Sequence, residues 1–260
     1  MTIHHLKSTP VLDWKHVDGE YHTMYKGYRI RAVVDEDPID PFKDCDDHWP
    51  LWAFSGRNPQ ARFVDVEMLF DLFSPEQLVH DQRAIADALG WVSIPELMEA
   101  YMTEEPVVYC RDPDVLRDMF EQALDDCSVR DILDRAVELL ALAGVPCFRT
   151  TSHGYSQGDW AELLVIGTPE CVRRFGLDTT GWDAARWEKE LRLTADLYSA
   201  WAWGDVYGYI VEKRADFLEP DDDPDDFEDS WEEIDACWGY YGRDFAESGL
   251  EGAAMEVVNG

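Results

Sequence analysis

The chain carries a large excess of negative charge. Its 260 residues include 55 Asp and Glu but only 22 Lys and Arg, which gives a formal net charge of −33. Repulsion among these charges opposes compaction and hinders approach to phosphates, nucleic acids and anionic membranes. We therefore expect either a strongly basic partner or a high-salt environment. Direct binding to nucleic acid or to a membrane is not expected.

The composition nevertheless predicts a folded protein. Hydrophobic residues make up 46% of the chain, with 11 Trp, 11 Tyr and 11 Phe, whereas acidic disordered segments contain few aromatic residues. The first residues lack the apolar region of a secretory signal, and no apolar run has the length of a membrane-spanning helix. The six cysteines show no C-x-x-C pair, which is typical of reduced thiols in a cytoplasmic protein.

Alternation of apolar and polar residues predicts several strands. The clearest is a hairpin over 20–35, in which Ile30 and Ala32 face one side while Arg29 and Arg31 face the other. A buried stretch is predicted near 49–54. Further strands are predicted at 147–152, 160–166 and 206–213.

Helix-boundary signals place a helical block in the middle of the chain. Ser74-Pro75-Glu76-Gln77 is a capping box that opens a helix ending at Gly90. Asp112-Pro113 and Ser128 open two more helices, the second of which ends at Gly144. Because helices and strands are partly segregated, the expected fold class is α+β, with small antiparallel sheets around this block.

The same patterns suggest three parts of the chain. Residues 1–64 form the hairpin and a long surface segment, and residues 65–144 form the helical block. Residues 145–260 form a C-terminal α+β module with a long helix near 183–200 and an acidic segment at 216–235. The three parts are either separate or packed as one domain.

Residues 154–158 match the G-x-S-x-G nucleophile elbow of α/β-hydrolases. In that fold the catalytic histidine follows the serine, yet all seven histidines of this chain precede Ser156. The elbow also leads into a helix, whereas residues 159–166 are predicted to form a strand. A glycine turn between two strands is the better interpretation. We assign no catalytic residue and do not expect an enzyme.

Two acidic stretches contain metal-capable side chains but not the full pattern of a metal site. Residues 221–232 place oxygens at several ligand positions of a calcium loop, but Asp226 replaces the glycine that the sharp turn needs. Within 44–48, adjacent residues cannot all face one ion. No metal or other cofactor is therefore predicted.

Three segments, 28–38, 204–209 and 237–242, resemble a group of acidic proteins from bacteriophages and mobile elements. A shorter stretch, 241–244 followed by Ser248-Gly249, is similar to the antirestriction family ArdA, whose members are acidic DNA mimics. The resemblance implies a cytoplasmic protein of the host cell whose acidic surface occupies the DNA-binding site of a basic host defence protein, such as a restriction or CRISPR component.

The net charge agrees with this hypothesis. B-form DNA carries about one negative charge per ~1.7 Å, so 33 excess charges correspond to roughly 56 Å of duplex. The residues expected to contact the partner are the acids of two clusters. These are Glu219, Asp221, Asp222, Asp223, Asp225, Asp226, Glu228, Asp229, Glu232, Glu233 and Asp235, and Asp35, Asp37, Asp44, Asp46 and Asp47.

Two alternatives stay open. Low lysine content, with six Lys against sixteen Arg, is compatible with a halophilic protein of unknown activity. A metal-dependent enzyme would need distant carboxylates, for which Asp159, Glu162 and Asp205 around the 154–158 turn are candidates. The oligomeric state is not fixed by the sequence, and a homodimer is compatible with it.

Overall fold

The computed structural model describes residues 12–43, 48–54, 67–91, 110–125, 127–155, 159–214 and 231–260. The chain divides into two compact units, one made of residues 1–44 and 196–260 and the other of residues 45–195. The strands are β1 (Lys15–Val17), β2 (Glu20–Tyr25), β3 (Tyr28–Val34), β4 (Leu51–Phe54), β5 (Cys147–His153), β6 (Trp160–Ile166), β7 (Val206–Arg214) and β8 (Trp231–Tyr241).

Eight helices occur in the described part of the chain. They are α1 (Glu67–Phe70), α2 (Pro75–His80), α3 (Gln82–Ala88), α4 (Pro113–Asp125), α5 (Val129–Leu142), α6 (Pro169–Arg174), α7 (Ala184–Ala202) and α8 (Leu250–Asn259). None of these described helices is both long and apolar enough to cross a membrane.

The first unit is built on a five-stranded antiparallel sheet with the order β1-β2-β3-β7-β8. The predicted hairpin of β2 and β3 is confirmed, and Lys26 and Gly27 take the left-handed conformation of its two-residue turn. Tyr28 of β3 stands opposite Lys213 of β7. This pairing joins the two sequence-distant segments of the unit.

Helix α8 packs against one face of this sheet. Ile30 and Val211 share an apolar core with Leu250. Glu251 of α8 is only 3% exposed, and its carboxylate accepts a hydrogen bond of 2.8 Å from the N–H of Leu12. Because a buried carboxylate must be hydrogen-bonded, this contact ties the start of the described chain to α8.

The opposite face of the sheet carries a network of charges. Arg29 and Arg31 point to this face, as predicted, and donate through Nε to the buried Glu212 at 2.5 and 3.3 Å. A further nitrogen of Arg31 donates to Glu20 at 2.7 Å. Partial burial alone would raise the pKa of Glu20, but the hydrogen bond and positive charge of Arg31 outweigh it and lower that pKa. Both arginines are thereby neutralised within the unit.

The second unit combines a three-stranded antiparallel sheet, in the order β4-β6-β5, with helices. Trp52 of β4 and Leu164 of β6 lie in one buried core with Phe70, Phe120 and Leu133 from the helices. The strands predicted at 147–152 and 160–166 are confirmed, as is a buried stretch near 49–54.

The helix boundaries were largely predictable. Ser74 forms the expected capping box with Gln77, because each side chain accepts a hydrogen bond from the other residue's backbone N–H. The prediction of one helix ending at Gly90 was wrong. The chain forms two helices, α2 and α3, because Asp81 takes a non-helical conformation between them.

The α+β fold class is confirmed, with two small antiparallel sheets and helices between residues 67 and 142. The division into two units falls at residues 44 and 195, whereas the sequence suggested boundaries at 64 and 144. Pairing of β3 with β7 accounts for this difference, since it places both chain ends in one unit. The sequence patterns did not predict β1, β8, α6 or α8.

Candidate partner-binding surface

Among the described strands, β8 forms one edge of the five-stranded sheet. Its register with β7 shifts twice, so that β8 has an extra residue at Ile234 and another at Trp238-Gly239. Gly239, with φ of +88°, is left-handed, as in a common type of β-bulge. Bulges redirect side chains, and Ile234 and Trp238 are each 48% exposed. This irregular edge presents two large apolar side chains and discourages pairing with another strand.

Trp238 lies directly over Gly208 of β7. A β-carbon added at Gly208 would lie 2.5 Å from Cδ2 and 2.8 Å from Cζ3 of the indole, which is closer than real contacts allow. Glycine therefore leaves room for the ring, and the main chain beneath fixes the position of the ring. Large aromatic side chains dominate many protein interfaces, and a prepositioned one loses little entropy on binding.

Three of the predicted contact acids lie on β8. Glu232 and Glu233 are exposed, and among the described residues neither forms an ion pair, although Lys213 stands opposite Glu232 in the register. Asp235 is half-buried and accepts a hydrogen bond of 2.8 Å from the hydroxyl of Tyr209. Glu232 and Glu233 are therefore available to a partner, whereas Asp235 is held against the sheet.

Asp35 and Asp37 lie near the other end of the same sheet. The N–H of Asp35 donates to the carbonyl of Val206, the β7 residue that pairs with Tyr241 of β8. The carboxylate of Asp35 in turn accepts the N–H of Asp37 at 3.2 Å. Glu233 and Tyr241 of β8 stand opposite Glu212 and Val206 of β7. These two β7 residues are six positions apart, which at about 3.3 Å per residue corresponds to roughly 20 Å along the sheet. Trp238 therefore lies between two groups of predicted contact acids.

Two tyrosines support β8 from the side that faces the apolar core. Burial, with the hydrogen bond to Asp235, raises the pKa of Tyr209 above its ordinary value. Burial, with a hydrogen bond to Cys237, raises the pKa of Tyr240 to about 12. Both hydroxyls therefore stay protonated at neutral pH, and Tyr209 keeps donating to Asp235.

Several predicted residues lie outside the described part of the chain. They are Asp44, Asp46, Asp47, Glu219, Asp221, Asp222, Asp223, Asp225, Asp226, Glu228 and Asp229, and Ser156 of the G-x-S-x-G pattern. The calcium-like pattern at 221–232 falls largely among them. At the described ends of the predicted turn, the N–H of Gly154 donates to the carbonyl of Asp159 at 2.7 Å, and a strand follows, as predicted.

Two of the three carboxylates of the enzyme alternative are engaged with arginines. Glu162 accepts a hydrogen bond of 2.6 Å from Arg149, and Asp205 accepts one of 2.7 Å from Arg243. Asp159 and Glu162 belong to one unit and Asp205 to the other. Within the described ranges, no three His, Cys, Asp or Glu side chains are grouped as metal ligands.

The apolar part of this surface was not predicted from the sequence. Residues 216–235 stand out there only as an acidic segment, and no role was expected for Ile234 or Trp238. The one available signal was Gly208 in a predicted strand, since such a glycine often marks a close approach by another group. That signal does not identify the group that approaches.

Comparisons with known proteins identify no relative from which a role for this surface could be inferred. No protein-family model matches the chain, and no curated protein or solved structure is significantly similar to it. The assignment of a role therefore depends on the geometry and charge of the surface itself.

Proposed function

We propose that this protein is a DNA-mimic-type inhibitor from a bacteriophage or mobile element. In the cytoplasm of the host cell, it binds the DNA-contacting surface of a basic defence protein, such as a restriction or CRISPR component. The observation that carries the proposal is strand β8, where an exposed tryptophan lies on Gly208 near exposed acids that form no ion pair with any described residue.

The charge distribution of the first unit supports this proposal. Arg29 and Arg31 are bound to Glu212, and Arg243 is bound to Asp205. Because these arginines neutralise other carboxylates, they do not neutralise Glu232 and Glu233, whose negative charges can attract a partner. Such charges attract a basic partner over long distances and speed its association, and the effect weakens as salt increases.

The spacing of the acids is compatible with DNA mimicry. The distance of roughly 20 Å along the sheet between Glu233 and the Asp35 end equals about six base-pair steps at about 3.4 Å each. A surface that contacts DNA phosphates over such a length would meet carboxylates at both ends of this sheet. The apolar side chains between them supply contact area that charge alone does not provide.

A pair of charge-matched variants tests the proposal. The E232K/E233K protein loses the acids of β8, whereas D118K/E138K changes the net charge equally on exposed helical residues of the second unit. Each protein is immobilised and exposed to host lysate at about 0.1 M salt, where charges act over ~10 Å. Retained proteins are eluted with a salt ramp and with duplex DNA.

We expect the wild type and D118K/E138K to retain the same nucleic-acid-binding protein, which duplex DNA displaces. The affinity of E232K/E233K for that purified protein should fall at least about tenfold, because two attractive contacts become repulsive. Equal weakening in both variants would show that only net charge matters and would contradict the proposal. Retention of ribosomal proteins alone, without competition by DNA, would do the same.

A further inference from the structure

The exposed ring of Trp238 resembles an arginine-binding arrangement that the same sheet already contains. Arg29 lies over the ring of Trp231, with its guanidinium carbon 4.7 Å from the ring centroid. The Nε of the same arginine donates to Glu212 at 2.5 Å. An indole face and a carboxylate thus hold one guanidinium on the charged face of the sheet.

Trp238 offers the indole part of such an arrangement, with acids further along the sheet. Its six-membered ring covers Gly208, and the residue is still 48% exposed. Within the described ranges, no Lys or Arg stacks on this ring. Acids lie on both sides of it along the sheet, at Glu233 and at Asp35.

We propose that Trp238 binds an arginine side chain of the basic partner, with the guanidinium stacked on the exposed part of the indole. This inference rests on the proposed function, which supplies a basic partner. Arginine is favoured over lysine because its planar and weakly hydrated guanidinium stacks on aromatic rings, whereas the lysine ammonium is compact and strongly hydrated. Trp238 thus selects the type of basic residue, and the acids supply general attraction.

Two peptides of equal length and charge, one of arginines and one of lysines, serve as probes of the full-length protein. Their dissociation constants are measured for the wild type, W238A, E232K/E233K and the control W160A. Trp160 is an exposed tryptophan of the other unit, at 38% exposure. The indole N–H resonance of Trp238, identified by its loss in Trp238→Phe, gives a site-specific readout.

We expect the ratio of lysine-peptide to arginine-peptide dissociation constants to fall by about two- to fivefold in W238A. The ratio should be unchanged in W160A, and the arginine peptide should shift the Trp238 resonance more than the lysine peptide does. An unchanged ratio in W238A, or an unshifted resonance, would overturn the role of Trp238 and leave the proposed function standing.

The charge variants separate the two proposals. Weaker binding of both peptides to E232K/E233K, with the ratio preserved, would support the acidic surface on which this inference depends. Unchanged binding of both peptides to E232K/E233K would contradict the proposed function, and the role of Trp238 as part of an acidic contact would be overturned with it.

Discussion

At the scale of single residues, Gly208 is required because it lacks a side chain. Its backbone is not in the left-handed region, so conformational freedom does not explain the glycine. The indole of Trp238 occupies the space where a β-carbon would project. The two residues therefore act as a pair, although one lies on β7 and the other on β8.

The variant Gly208→Ala should be destabilised by about 1–3 kcal/mol, because the added methyl group overlaps the indole. In a W238A background the same change should be neutral or slightly stabilising, since alanine is favoured over glycine within a strand. Urea unfolding of the four proteins in this double-mutant cycle measures the coupling.

Gly252→Ala is the matched control, because a β-carbon there meets no atom within 4 Å. Helix propensity predicts a gain in stability of up to about 1 kcal/mol for this control. Equal destabilisation by Gly208→Ala in both backgrounds would contradict the steric explanation.

At the scale of elements, the β7–β8 pair should give the protein a marked sensitivity to alkali. The pKa of Tyr240 is raised from 10.0 to about 12 by burial in the folded state. The stability contributed by its protonated hydroxyl is therefore complete below pH 10 and is lost as the pH rises towards 12. Between these values, each such tyrosine should lower the free energy of unfolding by up to about 1.4 kcal/mol per pH unit.

Tyr240→Phe should reduce this slope, because phenylalanine has no proton to lose. Urea unfolding at a series of pH values between 10 and 12 measures the slope for each protein. Tyr155→Phe, at an exposed residue of the other unit, is the control and should not change the slope. The same slope in Tyr240→Phe as in the wild type would refute this account.

Whether an element can be predicted from the sequence depends on how close together in sequence its determining residues are. The β2–β3 hairpin and the Ser74 cap were predictable, because each depends on residues close together in sequence. Strand β8 was not predictable, since its two bulges interrupt the alternation that marks a strand. The contact of Trp238 with Gly208 depends on the register between β7 and β8, which the sequence does not reveal. The candidate surface could therefore be predicted only as a set of acids.

At the scale of the whole molecule, the net charge of −33 should make stability depend on low concentrations of salt. The melting temperature should rise between about 0.01 and 0.15 M NaCl, as the Debye length falls from ~30 to ~8 Å. It should then level off, because screening of the exposed charges is nearly complete. Thermal unfolding across a salt series measures this dependence.

The melting temperature of the D118K/E138K variant should rise less over the same range of salt, because its net charge is less negative. A protein adapted to saturated salt would behave differently. It would stay unfolded until the salt reached molar concentrations. That result would favour the halophilic alternative over a DNA mimic.

The pairing of β3 with β7 has a consequence for how the chain is made. Strand β3 ends at Val34, and its partner begins only at Val206. At a translation rate of about 5–20 residues per second, roughly 10–30 s pass between the synthesis of β3 and that of β7. The contiguous segment 45–195 is synthesised in full during this interval. We therefore expect it to fold first, while the β2–β3 hairpin remains exposed to chaperones until β7 has been synthesised.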